Sequence, residues 1–345
     1  MRIGIFTITD ALNYGAYFQM YAMYQYLVDL GYDVDVFDCN RSLKLKLIKN
    51  VSVNPKRHFF KRKVISSYRK DWDRISIKKY KGQELDLAIV GSDEIWNLDN
   101  QHFYHAPEYF GIGINAKYKI AYAPSVGFGD IKKIALDNCV ATALTSFDFL
   151  FPRDTQTKSL IKECVDKEKM KNVIEVVDPT ILYNSWESFK TSADCKKPQI
   201  VYYSYDKNPP FKDELLKFAR ERGLKIISAG FQTDWADENS SVGPFDFLKL
   251  ISESEYVITT TFHGTIMSAL LDCSFICIPN GQKATNLVEK FSLEKNVFGP
   301  DDILSDKFDA VSRLKSSHKF VDASKQFRIL LSSAIEGLKI KEKLV

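Results

Sequence analysis

The chain has 345 residues, and its content of 45% hydrophobic and 27% charged residues is that of a globular protein rather than a disordered one. At about 150 residues per domain, this length predicts about two domains. The longest nearly apolar stretch, 266–279, contains Asp272 and is shorter than the roughly 20 residues of a membrane helix. The amino terminus lacks the long apolar core of a signal peptide, so none is expected.

The six cysteines are scattered through the sequence, without a CxxC pair or a histidine spacing that completes a zinc site. Such a distribution is typical of proteins in a reducing compartment. We therefore expect a cytoplasmic protein with free thiols, no structural metal and no bound cofactor.

The net charge of +4 conceals an asymmetry along the chain. Between Arg41 and Gly82, 15 lysines and arginines accompany two acidic residues, so this segment carries +13 and the rest of the chain carries −9. Leucine, isoleucine and phenylalanine lie among these charges, and Asn54-Pro55 divides the segment into two pieces that we expect to be partly helical. The pattern indicates a basic insertion, 41–82, in an otherwise acidic protein.

Strand and helix patterns alternate through the first half of the chain. Apolar residues recur every three or four positions from Tyr17 to Val28, as on one face of a helix, and Gly31 suits the position just after its end. Because this helix lies between two β-rich runs, the sheet should be parallel. The predicted elements are strands at 3–8, 34–37, 85–90, 119–123, 149–152 and 173–177, with helices at 17–28, 132–147 and 157–165.

The same alternation restarts after a link somewhere in 183–197. The predicted elements are strands at 199–204, 225–229, 255–260 and 275–278, with helices at 210–222, 244–252, 264–271 and from 323 onwards. We therefore predict an α/β protein with two Rossmann-like parallel-sheet domains, 1–190 and 191–322, and a helix at 323–345 that packs back on the first domain. Such domains bind ligands in the cleft between them, at the carboxyl ends of their strands.

The sequence TTTFHG, Thr259 to Gly264, stands at a predicted strand-to-helix turn. Such a turn directs backbone N–H groups and the positive end of a helix towards the cleft, which suits an anion. His263 in this turn is able to transfer a proton near neutral pH. A capping turn with a structural histidine is an equally good interpretation of the pattern alone.

Three other strand ends carry candidate residues. In GSDEIWN, Asp93 could hold sugar hydroxyls and Trp96 could stack on a sugar face, although a capped helix with a buried tryptophan fits this pattern better. Arg153 could bind carboxylate or phosphate, although a surface salt bridge is the more common role. Asn13 and Tyr14 open the first helix in NYGA, which resembles an anion-binding turn but is no Walker loop. The sequence contains no motif for nucleotide hydrolysis, serine hydrolysis or zinc proteolysis.

Taken together, these segments resemble the polysaccharide pyruvyl transferase family. The similarity extends in order over most of the chain and omits only the basic segment and the extreme carboxyl terminus. It rests on NYGAYFQMYAMYQYLVDLGYDVDVFD, DLAIVGSDEIWN, IAYAPSVG, FLFPRDTQTKSLI, VVDPTILY, YVITTTFHGTIMSALLDCSFICIP and NLVEKFSLE.

The resemblance implies a fold similar to glycosyltransferase type B, with the acceptor on the first domain and the donor on the second. It also implies that pyruvate moves from phosphoenolpyruvate onto two hydroxyls of a sugar, giving a cyclic ketal. The histidine of the family's Arg-x-His-Gly turn corresponds to His263 and its mid-chain arginine to Arg153, but its second arginine is Thr261 here. Lys283, in the loop after the next strand, is either a replacement for that charge or a solvated loop lysine.

These correspondences imply roles in catalysis and binding. The expected catalytic residues are His263, as the acid that protonates the methylene carbon of phosphoenolpyruvate, with Arg153 and Asp93. Asp93 would orient the sugar or accept a hydroxyl proton, and N–H groups near Gly264 and Thr265 would hold the anion. The expected donor-binding residues are Arg153, Thr261, Phe262, His263, Gly264, Thr265 and Lys283, and the expected acceptor-binding residues are Asn13, Tyr14, Asp93, Trp96 and Asn97.

The expected acceptor is a sugar of a capsule or exopolysaccharide precursor, linked to a lipid pyrophosphate. Residues 41–82 would then dock on the anionic inner face of a membrane, since each clustered cation contributes about 1 kcal/mol; a soluble helix with a solvated basic face is the other interpretation. Nucleic acid is not an expected partner, because no binding motif accompanies the charge. Glycosyl transfer from a nucleotide sugar and a non-catalytic sugar- or anion-binding scaffold remain alternatives, because fold does not determine function.

Overall fold

Two parallel β-sheets organise the computed structural model, which describes residues 1–9, 11–39, 55–100, 105–312 and 318–344. The first sheet consists of β1 (Arg2–Phe6), β2 (Asp33–Asp38), β3 (Ile77–Lys79), β4 (Leu85–Val90), β5 (Ala116–Tyr122) and β6 (Phe149–Phe151). The second sheet consists of β7 (Lys197–Tyr203), β8 (Lys225–Ala229), β9 (Glu238–Ser240), β10 (Ser254–Thr259) and β11 (Phe275–Cys277). Their spatial orders are β3-β2-β1-β4-β5-β6 and β11-β10-β7-β8-β9, with parallel pairing between neighbours.

Helices cover both sheets, which explains why the central strands are buried on both faces. The helices of the first half are α1 (Tyr14–Asp29), α2 (Pro55–Trp72), α3 (Ile131–Ala135), α4 (Asn138–Thr145), α5 (Thr155–Cys164), α6 (Lys167–Met170) and α7 (Pro179–Leu182). Those of the second half are α8 (Lys212–Arg222), α9 (Pro244–Glu253), α10 (Phe262–Leu270), α11 (Gln282–Phe291), α12 (Leu304–Val311) and α13 (His318–Leu344). Short 3-10 turns lie at Pro107–Phe110, Ser185–Phe189, Ala193–Cys195 and Glu294–Asn296.

This architecture confirms the predicted fold class of two Rossmann-like parallel sheets. The strand predicted at 173–177 is wrong: Val176 donates one hydrogen bond to the Pro152 carbonyl, but the segment forms no strand. The helix predicted at 132–147 is two helices, because the Asp137 side chain accepts hydrogen bonds from two N–H groups of the following turn and starts α4 anew.

The described part of the basic segment belongs to the first sheet rather than to an insertion. Residues 41–54 of the predicted insertion lie outside the described residues. From residue 55 the chain forms α2 and then β3, which pairs with β2 at the edge of the sheet. One side of α2 is buried at Val64 and Tyr68, so this helix is the crossover between two strands of the fold.

An aromatic interface joins the two halves behind the cleft. The ring of Tyr14 in α1 stacks on Phe247 of α9 with 4.1 Å between centroids, and the Tyr14 hydroxyl donates to the Val242 carbonyl. From α2, Ser67 donates to the Ser241 carbonyl at 2.7 Å. A single cluster of buried side chains therefore extends from α1 into the second half. This contact fixes the position of the two sheets relative to each other.

The carboxyl-terminal helix α13 returns to the first half of the chain. Tyr26 donates to the carbonyl of Arg328, and Tyr32 donates to the carboxylate of Glu336. Within the described ranges, no helix combines the length and the apolar content that crossing a membrane requires.

Candidate active site

The candidate site lies where the strand order of each sheet reverses. In the first sheet this point is between β1 and β4, which are followed by Asn13 and Asp93; in the second it is between β7 and β10, which are followed by Tyr205 and His263. Helices diverge at such a point and leave a crevice at the carboxyl ends of the strands. The side chains that follow these four strands consequently face each other across the cleft.

A buried carboxylate, Asp178, links the two residues that the sequence analysis gave the strongest roles. Its Oδ2 lies 2.9 Å from Nη1 of Arg153 and 3.4 Å from Nε2 of His263. Its other oxygen accepts from the N–H and the hydroxyl of Thr180, because Asp178 also caps α7. Arg153 comes from the end of β6 and His263 from the first turn of α10, so Asp178 connects the two halves.

Sequence patterns do not single out Asp178 as a functional residue. It stands in the VVDPT segment, where an aspartate before a proline is typical of a helix start. The sequence shows only that Asp178 follows an apolar run in a segment that resembles the family. Its contact with Arg153 is visible only in the structure.

Opposite charges stabilise one another in this buried site. Burial would raise the pKa of Asp178, but His263, Arg153 and the Thr180 N–H outweigh it and hold that pKa well below its usual range. Burial would lower the pKa of Arg153, and the negative charges of Asp178 and Asp93 instead raise it. Both groups are therefore charged at neutral pH. Arg153 uses Nη1 for Asp178, while its buried Nε and Nη2 make no hydrogen bond with the described residues.

Asp93 and Lys283 form a second ion pair beside the first. Lys283 lies in the first turn of α11, and its Nζ is 3.6 Å from Asp93 and 3.6 Å from Glu94. The same ammonium lies 4.5 Å from the ring centroid of Phe262, over whose ring the Arg153 guanidinium also lies, at 5.4 Å. Burial would raise the pKa of Asp93, but Lys283 and Arg153 outweigh it and lower that pKa. Lys283 is thus part of the charged site.

The backbone around this site has a conformation and close contacts that few residue types permit. Asp93 has a φ of 75°, a left-handed conformation that aspartate tolerates better than most residues. The preceding Ser92 donates its hydroxyl to the buried amide of Gln19 in α1 at 2.6 Å. On the other side of the cleft, a Cβ at Gly15 would overlap Nδ1 of His263, so α1 approaches the imidazole in a way that glycine alone permits.

Thr261 caps α10, and this role changes the expected anion contacts. Its hydroxyl accepts from the Gly264 N–H at 2.9 Å, and its carbonyl accepts from the N–H and the hydroxyl of Thr265. The N–H groups of Gly264 and Thr265 themselves therefore already have partners. By helix geometry, the N–H groups of Phe262 and His263 precede the first intrahelical hydrogen bond and are the ones directed at the cleft.

A family model described as polysaccharide pyruvyl transferase matches residues 13–282, most of the chain. The chain belongs to this family. The matched region contains Asp93, Arg153, Asp178 and His263, and it ends directly before Lys283. The predicted family is therefore confirmed. No curated protein matches the sequence of the chain.

Solved structures with the same two-domain fold extend over nearly the whole of this family member. A Listeria monocytogenes protein assigned as a UDP-N-acetylglucosamine 2-epimerase is 9% identical, with a TM-score of 0.54 and 97% of each chain covered. The UDP-GlcNAc 2-epimerase of Methanocaldococcus jannaschii is 10% identical, with a TM-score of 0.50, 96% of this chain and 100% of that chain covered. An α-glucosyltransferase solved with UDP and DNA is 12% identical, with a TM-score of 0.53 and 95% of each chain covered. These similarities show a fold like that of glycosyltransferase type B.

Three of the acceptor residues expected in this pyruvyl transferase family member are buried in the structure. Trp96 is fully buried, donates Nε1 to the Tyr109 carbonyl and stacks on Phe110. Tyr14 is 2% exposed within the interface between the halves. Asn97 is buried and donates to Glu94. Trp96 and Tyr14 have almost no accessible surface and cannot contact a sugar, so these two predictions are wrong, whereas the role of Asn97 stays a prediction.

Two expected acceptor residues do lie at the cleft. Asn13 caps α1 by accepting from the Gly15 N–H, and its amide donates to the Tyr205 hydroxyl at 2.6 Å across the cleft. Asp93 lies at the bottom of the same region, in contact with Lys283. The structure thus brings Asn13, Asp93, Arg153, Phe262, His263 and Lys283 to one cleft.

Proposed function

We propose that the protein transfers pyruvate from phosphoenolpyruvate onto two hydroxyls of one sugar in a polysaccharide precursor, forming a cyclic ketal. The observation that carries the proposal is the shared contact of Arg153 and His263 with buried Asp178, beside Lys283, in the cleft between the two halves. Two cationic side chains and a histidine together in one buried cleft would suit a small trianionic donor.

In the proposed reaction, His263 donates a proton to the methylene carbon of phosphoenolpyruvate, and carbon 2 becomes electrophilic. One sugar hydroxyl forms a bond to carbon 2, and its proton passes to the imidazole that the first transfer left neutral. The carbon–oxygen bond to phosphate then breaks, and the second hydroxyl closes the ketal while its proton leaves with the phosphate. Asp178 stabilises the protonated imidazole before the transfer. Because its pKa is lowered, Asp93 suits accepting a hydrogen bond from a hydroxyl better than retaining its proton.

We infer that Lys283 supplies the charge of the family arginine that Thr261 replaces. Its ammonium reaches the same aromatic ring as Arg153, so both cations could contact one ligand placed over Phe262. Glu94 and Asp93 hold the ammonium in this position until an anion competes for it.

Phosphoenolpyruvate should raise the melting temperature of the wild-type protein selectively over UDP-, GDP- and CDP-sugars. Arg153→Ala should remove this stabilisation, and Lys283→Met should weaken phosphoenolpyruvate binding about 10- to 100-fold, because each loses a charged hydrogen bond. Lys290→Met is the matched control, since it removes an ammonium from the same helix outside the cleft. Stabilisation by a nucleotide sugar instead would contradict the donor assignment, and phosphoenolpyruvate binding by Lys283→Met as tight as that of the wild type would contradict the role of Lys283.

We also propose that the acceptor is carried on a lipid pyrophosphate and that α2 contributes to membrane contact. The face of α2 opposite its buried side exposes Arg62, Lys63, Arg69 and Lys70, with Phe59 also exposed. Deleting α2 and β3 would not test membrane contact, because both elements are part of the sheet domain.

Replacing these four cations by glutamine should release the protein from anionic vesicles, since clustered basic residues contribute about 1 kcal/mol each. Sedimentation with vesicles containing phosphatidylglycerol measures the bound fraction. The matched control replaces four exposed cations on and after α8: Lys217, Arg220, Arg222 and Lys225. Equal sedimentation of both variants would remove α2 as the contact.

A further inference from the structure

Two aromatic side chains stand exposed at the mouth of the cleft. Among the described residues, the large aromatic side chains that are mostly exposed are Phe59 (61%), Phe128 (70%) and Tyr205 (57%). Phe59 lies on the outer side of α2, whereas the other two border the charged site. The exposed part of each ring contributes nothing to folding, because that surface stays in water.

Phe128 follows β5 and reaches across to the second half. The tip of its ring lies against Gly281, where Cζ would be 2.5 Å from an added Cβ. Gly281 has a φ of 81° and precedes Lys283 by two residues, and the Phe128 side chain is 70% exposed beside it. Gly127, the residue before Phe128, packs against the Glu94 carboxylate. The loop that carries this ring therefore lies next to Glu94, and the tip of the ring lies beside the segment that carries Lys283.

Tyr205 reaches across the cleft in the opposite direction. It follows β7 in the second half, and its hydroxyl accepts from Asn13 of the first half. Its ring packs against Phe231 with 4.8 Å between centroids, which fixes its orientation. Asn13 and Asp93 follow β1 and β4, which are paired neighbours, so the hydrogen bond to Asn13 places the Tyr205 hydroxyl on the side of the cleft where Asp93 lies. Tyr205 and Phe128 consequently border this part of the cleft from opposite halves.

We propose that Phe128 and Tyr205 form the walls of the acceptor subsite and bind a pyranose ring between them, above Asp93 and Glu94. The inference rests on the proposed function and identifies where its sugar binds. A pyranose presents an apolar C–H face that stacks on an aromatic ring, and hydroxyls at its rim that donate to carboxylates. Asp93 and Glu94 supply those acceptors next to Lys283, so a bound diol faces the donor site.

In this proposal, Phe128 stacks on the sugar face, which is the role that the sequence suggested for Trp96. Trp96 is part of the core, whereas Phe128, in the loop after β5, is exposed. Its place after Gly127, with Gly129 behind it, permits the close approach of that loop to Asn97. The signal in the sequence is weak, because an isolated phenylalanine between glycines has no motif of its own.

The test measures binding of methyl glycosides of galactose, glucose and mannose by ligand-observed NMR, without donor. We expect Phe128→Ala and Tyr205→Ala each to bind the best of these glycosides about tenfold more weakly than the wild type. Tyr205→Phe should keep most of the affinity, because the ring remains. Phe59→Ala is the matched control, since it removes an equally exposed ring away from the cleft, and it should bind like the wild type.

Unchanged glycoside binding in both alanine variants, or no binding by the wild type, would overturn the subsite. Phosphoenolpyruvate binding, measured separately by thermal shift, distinguishes this failure from that of the proposed function. Glycoside binding that depends on both rings, in a protein that phosphoenolpyruvate does not stabilise, would support the subsite and remove the donor. If both alanine variants bind glycosides like the wild type and phosphoenolpyruvate binds normally, only the subsite proposal is refuted.

Discussion

Asp178→Asn should lower the rate of pyruvyl transfer about 10⁴-fold, the loss found when a buried carboxylate that orients a catalytic histidine is made neutral. Asparagine keeps the shape of the side chain and can still cap α7 through its amide oxygen. It removes the negative charge that holds Arg153 at 2.9 Å and His263 at 3.4 Å. The loss should therefore appear mainly in kcat, because both groups remain in the cleft but lose their fixed positions.

The same substitution should destabilise the fold by about 3–5 kcal/mol, since it leaves the Arg153 charge buried without its closest partner. Urea unfolding at neutral pH measures this change, and release of phosphate from phosphoenolpyruvate measures the activity. Asp166→Asn is the matched control: Asp166 caps α6, another four-residue helix, but lies away from the cleft. If Asp178→Asn were as active and stable as Asp166→Asn, the only role of Asp178 would be to cap α7.

The direction of the Asp178 pKa shift fixes how this stability depends on pH. The unfolded chain binds a proton at Asp178 near the ordinary pKa of about 3.9, whereas the folded protein keeps the carboxylate ionised to lower pH. The contribution is therefore complete above that value and is lost progressively as pH falls from about 5 towards 1. The difference in unfolding free energy between wild type and Asp178→Asn should shrink over this acidic range.

The sequence predicted those elements whose apolar pattern decides their structure. The strand at Leu85–Val90 was predicted at its observed bounds, because a run of this length that is apolar except for Asp86 suits a strand buried on both faces. The three-residue edge strands β3 and β9, IKK and ENS, were missed because they are polar and short. Their structure comes from pairing with neighbouring strands, which no local pattern shows.

The candidate site was predictable only as far as its motifs reach. His263 and Asp93 follow β10 and β4, which lie at the two switch points, and Arg153 follows the edge strand β6; all three stand at the carboxyl ends of their strands, where such folds bind ligands. The contact of Asp178 with Arg153 depends on a segment that does not form the predicted strand and instead lies beside the end of β6. The burial of Trp96 and the exposure of Phe128 depend on loop packing. Residue type at a strand end therefore predicts the charged part of the site better than its aromatic part.

His263→Gln should lower the rate of phosphate release about 10²- to 10⁴-fold, the usual contribution of general acid catalysis. Glutamine can donate a hydrogen bond to Asp178 but cannot give up a proton to carbon. Arg153 and Lys283 are unchanged, so phosphoenolpyruvate should bind with nearly wild-type affinity. A loss of kcat with normal donor binding would therefore separate the acid from a merely structural residue in the same turn.

Two measurements make this prediction specific to proton donation. Wild-type turnover in deuterium oxide should be slower, and the methyl group of the ketal should carry one deuterium, because the proton added to carbon exchanges with solvent through the imidazole. His318→Gln is the control, since His318 is exposed at the start of α13 and has no part in the cleft. Full activity of His263→Gln would move the acid to another group, and the Lys283 ammonium, which lies over the Phe262 ring beside the imidazole, would be the next candidate.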